Sequence, residues 1–174
     1  MKHLLRSTLA ALFAVAALAV PSSAAAAPAS TSFKIVGYEY AFTQTVGRFA
    51  GVGRGNAGDT AFWNTTVQHD ELGSTPTYVN GGSFQMVTRS TTGRFDTVMG
   101  TFAYHGGTIT KIDPGAHCTN QQYAVTGTLE HVTTTTTSGG SGSFSAVLTH
   151  FRVSVLGRCV IYKARVAGSV SFVY

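Results

Sequence analysis

The chain is 174 residues long, 44% hydrophobic and only 11% charged, with a formal net charge of +5 and two cysteines. A chain of this size holds one domain with a real core and is too short for two. The cysteines, at 118 and 159, are spaced too far apart for a redox Cys-x-x-Cys motif, and thiol catalysis has no support in the sequence.

The first residues follow the three-part grammar of a secretory leader. A basic start with Lys2 and Arg6 leads into an apolar block, Leu9 to Val20, and then the small-residue segment "PSSAAAAPAS". A spanning helix needs roughly 20 apolar residues, so this block is too short for one. Cleavage is expected after Ala29, or alternatively Ala26, and no cysteine stands near it to carry a lipoprotein anchor. The expected organisation is a signal peptide over 1–29 and a single domain over 30–174, secreted to an extracellular or periplasmic location. Loss of Lys2 and Arg6 leaves ten Lys or Arg against seven Asp or Glu, a net charge of about +3. The remaining cations are scattered apart from Arg152, Arg158, Lys163 and Arg165, a pattern that a solvated strand face explains and that gives no reason to expect a nucleic-acid partner.

No helical periodicity of useful length follows; β-branched and aromatic residues dominate between Gly, Asn, Asp and Ser turns. The first predicted strand is Phe33 to Phe42, with Val36, Tyr38, Tyr40 and Phe42 in one phase and Glu39 in the other. The stretch "VGRFAGVGRGNAGD" reads as a glycine-rich connection. Thr60 to His69 is a strand with Ala61, Trp63, Thr65 and Val67 in phase, and "DELGSTPTYVNGG" a polar loop. Ser83 to Arg89 and Arg94 to Tyr104 pair across "STTG", and "TITKI" adds one short strand. Tyr123 to Thr136, Phe144 to Val155 and Cys159 to Tyr174 are long strands; in the last, period two from Val160 to Tyr174 settles strand over helix. About eight sequential antiparallel strands without a crossover helix predict an all-β fold, an up-and-down β-barrel, which also removes exposed edges. Both cysteines lie in the exported part, so a Cys118–Cys159 disulfide is expected.

Gly-x-Phe occurs four times, at Gly47, Gly82, Gly93 and Gly142, and "TTGRFDTVMGTF" aligns with "GGSGSFSAVLTHF" at a constant offset of 49. Glycine supplies the positive φ of a hairpin turn, and the phenylalanine is expected to anchor the core end of the next strand. These two segments resemble the turn-and-strand motif of allene oxide cyclase and dirigent proteins, with "VGRFAGVGRG" a looser third echo. The resemblance covers about thirty residues, departs from the motif at Thr149, where glycine would stand, and implies an eight-stranded calycin-like barrel. It brings no counterpart of those families' catalytic residues.

Chemistry-bearing motifs are sparse. The histidines at 69, 105, 117, 131 and 150 form no metal-ligand spacing, so no metal and no cofactor are expected, and no Gly-x-Ser-x-Gly elbow is present. Glu39 is the most interesting acid, but its phase opposite the aromatic residues predicts an exposed position. A barrel of this size either fills its interior or holds one small ligand. Tyr40, Trp63, Met86, Met99, Phe102 and Phe151 are the candidate lining of an apolar pocket, with Phe172 also available. The leading functional expectation is a binder of a small apolar or aromatic molecule. The alternatives are a cyclase- or dirigent-like enzyme, which needs an inward-facing acid, base or cation, an outer-membrane barrel, and a surface interaction protein without a pocket.

Overall fold

In the computed structural model residues 30–73, 76–112 and 118–174 are described; the expected leader, 1–29, and His117 lie outside them. Nine strands and no helix make up the described chain: β1 (Ser30–Phe42), β2 (Val46–Gly55), β3 (Thr60–His69), β4 (Thr77–Arg89), β5 (Phe95–Phe102), β6 (Gly107–Lys111), β7 (Gln121–Thr133), β8 (Gly140–Val155) and β9 (Arg158–Val173). Each pairs antiparallel with its neighbours, and β9 returns to β1, so the sheet closes into a barrel. Strands β5 and β6 share one position. Both pair with β4 on one side and β7 on the other, and the turn at 103–106 separates them. The barrel therefore has eight positions filled by nine strands.

The glycine-rich connection is in fact β2, a full strand with two ladders. Its period-two pattern is intact but disguised: Arg48, Ala50, Val52 and Arg54 point outward, while the inward side carries glycines and Phe49. The reason lies across the sheet. Gly37 and Gly51 are cross-strand partners, and a Cβ on either would sit 2.6–2.8 Å from Cζ2 of Trp63. The indole fills the space that their missing side chains leave, and its Nε1–H donates to Val52 O at 3.0 Å. The polar loop expected before Ser83 is likewise shorter than predicted, because Thr77–Gly82 already belongs to β4.

The inward face of β1 is Phe33, Ile35, Gly37 and Glu39, the opposite of the face its aromatic residues suggest. Val36, Tyr38 and Tyr40 point to solvent, and a bulge at Tyr40 shifts the pairing from Glu39↔Phe49 to Ala41↔Arg48. The last strand shows the same device. Ala164, Val166, Val170 and Phe172 are buried as the alternation predicts, but the pairing slips between Phe151 and Arg152, leaving Val160 and Tyr162 exposed. A bulge inserts one residue, so everything beyond it changes face.

The echo between residues 93 and 142 is also not structural equivalence. Gly93 takes φ +85° in the β4–β5 turn, where Ser90 N–H donates to Arg94 O. Phe95, however, is 69% exposed and stacks beside Arg89, whereas Phe144 faces inward and meets Phe102 edge-on at 5.1 Å. An offset of 49 is odd, so matched residues have opposite parity: Val98 and Phe102 point in, while Val147 and Phe151 point out. The expected core anchor holds for Phe144 and fails for Phe95.

Phe33, Met86, Leu129, Val132, Val170 and Phe172 are fully buried and fill one half of the barrel, with Phe84 packed against Phe172 at 5.5 Å. At the other end Cys118 and Cys159 form the expected disulfide, with Cα atoms 5.3 Å apart and a sequence separation of 41. That location ties the approach to β7 onto the start of β9.

Candidate functional site

Above the filled half lies a cavity of about 90 Å³ whose walls are almost wholly apolar: Ile35, Phe49, Trp63, Val67, Phe84, Phe102, Ile109, Leu129, Phe144, Leu148 and Val166 among them. Its polar exceptions are Glu39, Thr65, His69 and His150, with Thr43 at the mouth. The mouth is framed by the β1–β2 turn and by Leu72 after β3. The pocket's walls come from alternate residues of neighbouring strands, which is the way any small barrel lines its interior.

Glu39 and His150 meet across β9. The β1–β9 ladder ends at Tyr38↔Arg165, so Glu39 stands at the level of Ala164, which itself pairs with His150. Alanine is too small to keep the two apart, and His150 Nε2 lies 3.1 Å from Glu39 Oε2. Their side chains are only 6% and 5% exposed. The expectation of an exposed Glu39 is thus overturned: closure of the barrel turned that face inward, and the glycine at 37 made it the face that receives Trp63.

His69 ends β3 on the same inward phase as Trp63 and Thr65, and it is 8% exposed. Its Nδ1–H donates to Asp70 O at 2.6 Å, fixing the ring. Tyr123 packs edge-on to His150 with ring centroids 5.4 Å apart. Burial raises the Tyr123 hydroxyl above its ordinary pKa, with Arg152 working in the opposite direction. The orientation of Gln121 that satisfies both ends of its amide donates to Tyr123 Oη at 3.1 Å and accepts from Arg152 Nη1 at 2.9 Å and Lys111 Nζ at 3.3 Å. A cationic rim therefore stands over the polar band. Among the described residues no group of three His, Cys, Asp or Glu is close enough to hold a metal ion.

Of the six residues proposed from sequence, Trp63 and Phe102 line the cavity. Met86 is fully buried in the filled half and lines no pocket wall. Tyr40 and Met99 are exposed on the outer face, and Phe151 lies on that face under Lys163, 5.8 Å from its ring centroid. Sequence reasoning missed His69 and His150 as a set with Glu39. The period-two phase did put His69 in line with Trp63, and His150 in line with Phe144 and Leu148, so a signal was present for both.

The opposite end of the barrel carries a wider polar depression of about 350 Å³, with Asp59, Ser90, Asp96 and Thr135 around it. Burial works against ionisation of Asp96, but hydrogen bonds from Thr135 Oγ1–H at 2.6 Å, Thr135 N–H at 3.0 Å and Thr97 N–H at 2.7 Å outweigh it. Its carboxyl is held below the ordinary range. Through Oδ1, Asp96 ties the β7–β8 connection to β5.

Compared with known proteins, the chain matches no family model, no curated protein and no solved structure.

Proposed function

We propose that this protein is an exported β-barrel that binds a small apolar or aromatic molecule in its interior. One observation carries the reading: an apolar cavity lined by a few polar side chains, the Glu39–His150 pair and His69, at one end of an otherwise filled barrel. Binding sites are concave, largely apolar and oriented by a few placed polar groups. At about 90 Å³ the cavity is smaller than the roughly 150 Å³ that accommodates benzene in another protein, but it opens at its mouth, so it suits one ring seated partly in the mouth or one end of a longer molecule.

Export is supported by the amino-terminal leader pattern and by a disulfide, which persists in oxidising compartments. The outer surface favours a barrel in water. A continuous apolar row, Val147, Ala167, Val36, Val52, Phe62 and Val87, runs around it through direct cross-strand pairs. The next row on one side holds Lys34, Arg54 and Arg89, and on the other Arg165, Asn64 and Gln85. A membrane barrel needs an apolar band about 25 Å tall around its whole circumference, and on β3, β4 and β9 polar or charged residues interrupt this one on both sides of the row.

Trp63 is the sole tryptophan and forms part of the cavity wall, so its emission reports occupancy directly. Titration with a panel of small apolar compounds is expected to shift or quench that emission saturably. No response across monocyclic hydrocarbons, alcohols and ketones would sink the reading. A second reading, an enzyme of the cyclase or dirigent kind, draws support from the inward acid and two imidazoles that such chemistry requires. Recovery of bound compounds unchanged after prolonged incubation would count against it.

A further inference from the structure

The cavity's hydrogen-bonding inventory is one-sided. Each donor on its buried lining residues is already used: Trp63 Nε1–H on Val52 O, Thr65 Oγ1–H on Ser83 O at 2.7 Å, and His69 Nδ1–H on Asp70 O. A carboxylate only accepts, so with Glu39 ionised the proton between it and His150 sits on Nε2. With neutral rings, three acceptors are then left over: His69 Nε2, His150 Nδ1 and Glu39 Oε1. None has a hydrogen-bond partner among the described residues.

These atoms are not sealed away. The buried side-chain polar atom without a partner among the described residues is Asn80 Oδ1, so the other three keep accessible surface. Their side chains are more than nine-tenths hidden from bulk solvent and line the cavity. The surface they keep is therefore the cavity's.

Building on the binding reading above, we propose that the cavity selects small apolar molecules that carry a hydrogen-bond donor, namely alcohols of about monocyclic size, and rejects acceptor-only molecules of the same shape. A hydroxyl placed against any one of these acceptors satisfies a polar group that is otherwise unpaired. A ketone placed there brings a second acceptor against the first and leaves both unsatisfied. Sites with buried polar groups discriminate strongly on this basis, because the wrong ligand leaves those groups unpaired.

Cyclohexanol and cyclohexanone form the decisive pair, with methylcyclohexane as the shape control, each titrated against Trp63 emission in the full exported chain. The expected result is at least tenfold tighter binding of cyclohexanol than of cyclohexanone. Glu39→Gln places an amide N–H where an acceptor stood and is expected to narrow or invert that ratio; His69→Phe is expected to reduce it while leaving methylcyclohexane binding in place. Equal affinity for the alcohol and the ketone in the wild-type protein would overturn the donor proposal while leaving the binding reading intact. No binding of any of the three would overturn both. The wild-type comparison stands even if a variant does not fold.

Discussion

The two ends of this barrel treat a carboxylate in opposite ways. At the base, Asp96 Oδ1 accepts from two backbone N–H groups and a hydroxyl, so its ionised form is held by three donors and its work is to pin one connection to one strand. At the mouth, Glu39 has a single partner, His150, and an oxygen left over in an apolar cavity. A partly exposed acid held by three donors is explained by the fold; a buried one with a single partner costs desolvation without full return, and folding alone gives no reason to keep it. The difference teaches where ligand chemistry belongs in this molecule: at the small apolar cavity, not at the larger polar depression.

The mouth also carries the staple, and its removal should produce the largest effect. Replacing Cys118 and Cys159 by serine opens a loop of about forty residues and is expected to cost about 4 kcal/mol in denaturant unfolding, if the loss follows chain entropy. Hydrogen exchange should then rise first in β7, β8 and β9 near the mouth, and an equal rise at the base would contradict the division drawn between the ends.

A sharper test replaces the Glu39–His150 pair by apolar residues. The double change Glu39→Leu with His150→Phe is expected to be neutral or to stabilise the fold by about 1–4 kcal/mol, because a buried pair seldom recovers its desolvation. Ligand response at Trp63 should fall in the same protein. A destabilised double variant that still selects alcohols would refute a functional role for the pair. At the base the opposite outcome is expected: Asp96→Ala should cost about 1 kcal/mol, allowing for partial exposure, and leave ligand binding unchanged.

The base should also govern part of the acid limb of stability. The folded-state pKa of Asp96 lies below the unfolded value, so its contribution is present above about pH 4 and is lost as pH falls through the folded value. Asp96→Asn is expected to flatten the dependence of the unfolding midpoint on pH below about 4; an unchanged slope would show that the Thr135 hydrogen bonds do not persist in solution. The smallest effect concerns the tip of β8–β9. Leu156 and Gly157 both take positive φ, +48° and +76°, in a two-residue turn where Asn-Gly is preferred. Leu156→Asn should raise stability by a few tenths of a kcal/mol, read as a small upward shift in melting temperature, because Leu156 is 98% exposed and gives up no packing.

Much of the architecture was legible before any coordinates. Sustained period-two runs with short turns can satisfy their backbone only as sheet, and the absence of helical segments left closure as the economical way to cover long edges. The disulfide followed from an even pair of cysteines in a chain whose opening residues read as an export leader. Strand β2 escaped notice because its inward face is mostly glycine, so the usual apolar alternation had no side chains to display.

What the alternation determined was that each strand has two faces; it did not determine which one is inside. Only closure decided that, since each inward side chain must fit what stands across the barrel: glycines at 37 and 51 against Trp63, and Ala164 between Glu39 and His150. Bulges at Tyr40 and near Phe151 then changed face partway along a strand. A bulge is set by pairing between distant segments, and pairing is a property of the assembled sheet. That is why the aromatic residues of β1 read as core and lie outside, while the acid and the histidines that now define the candidate site read as surface and lie within.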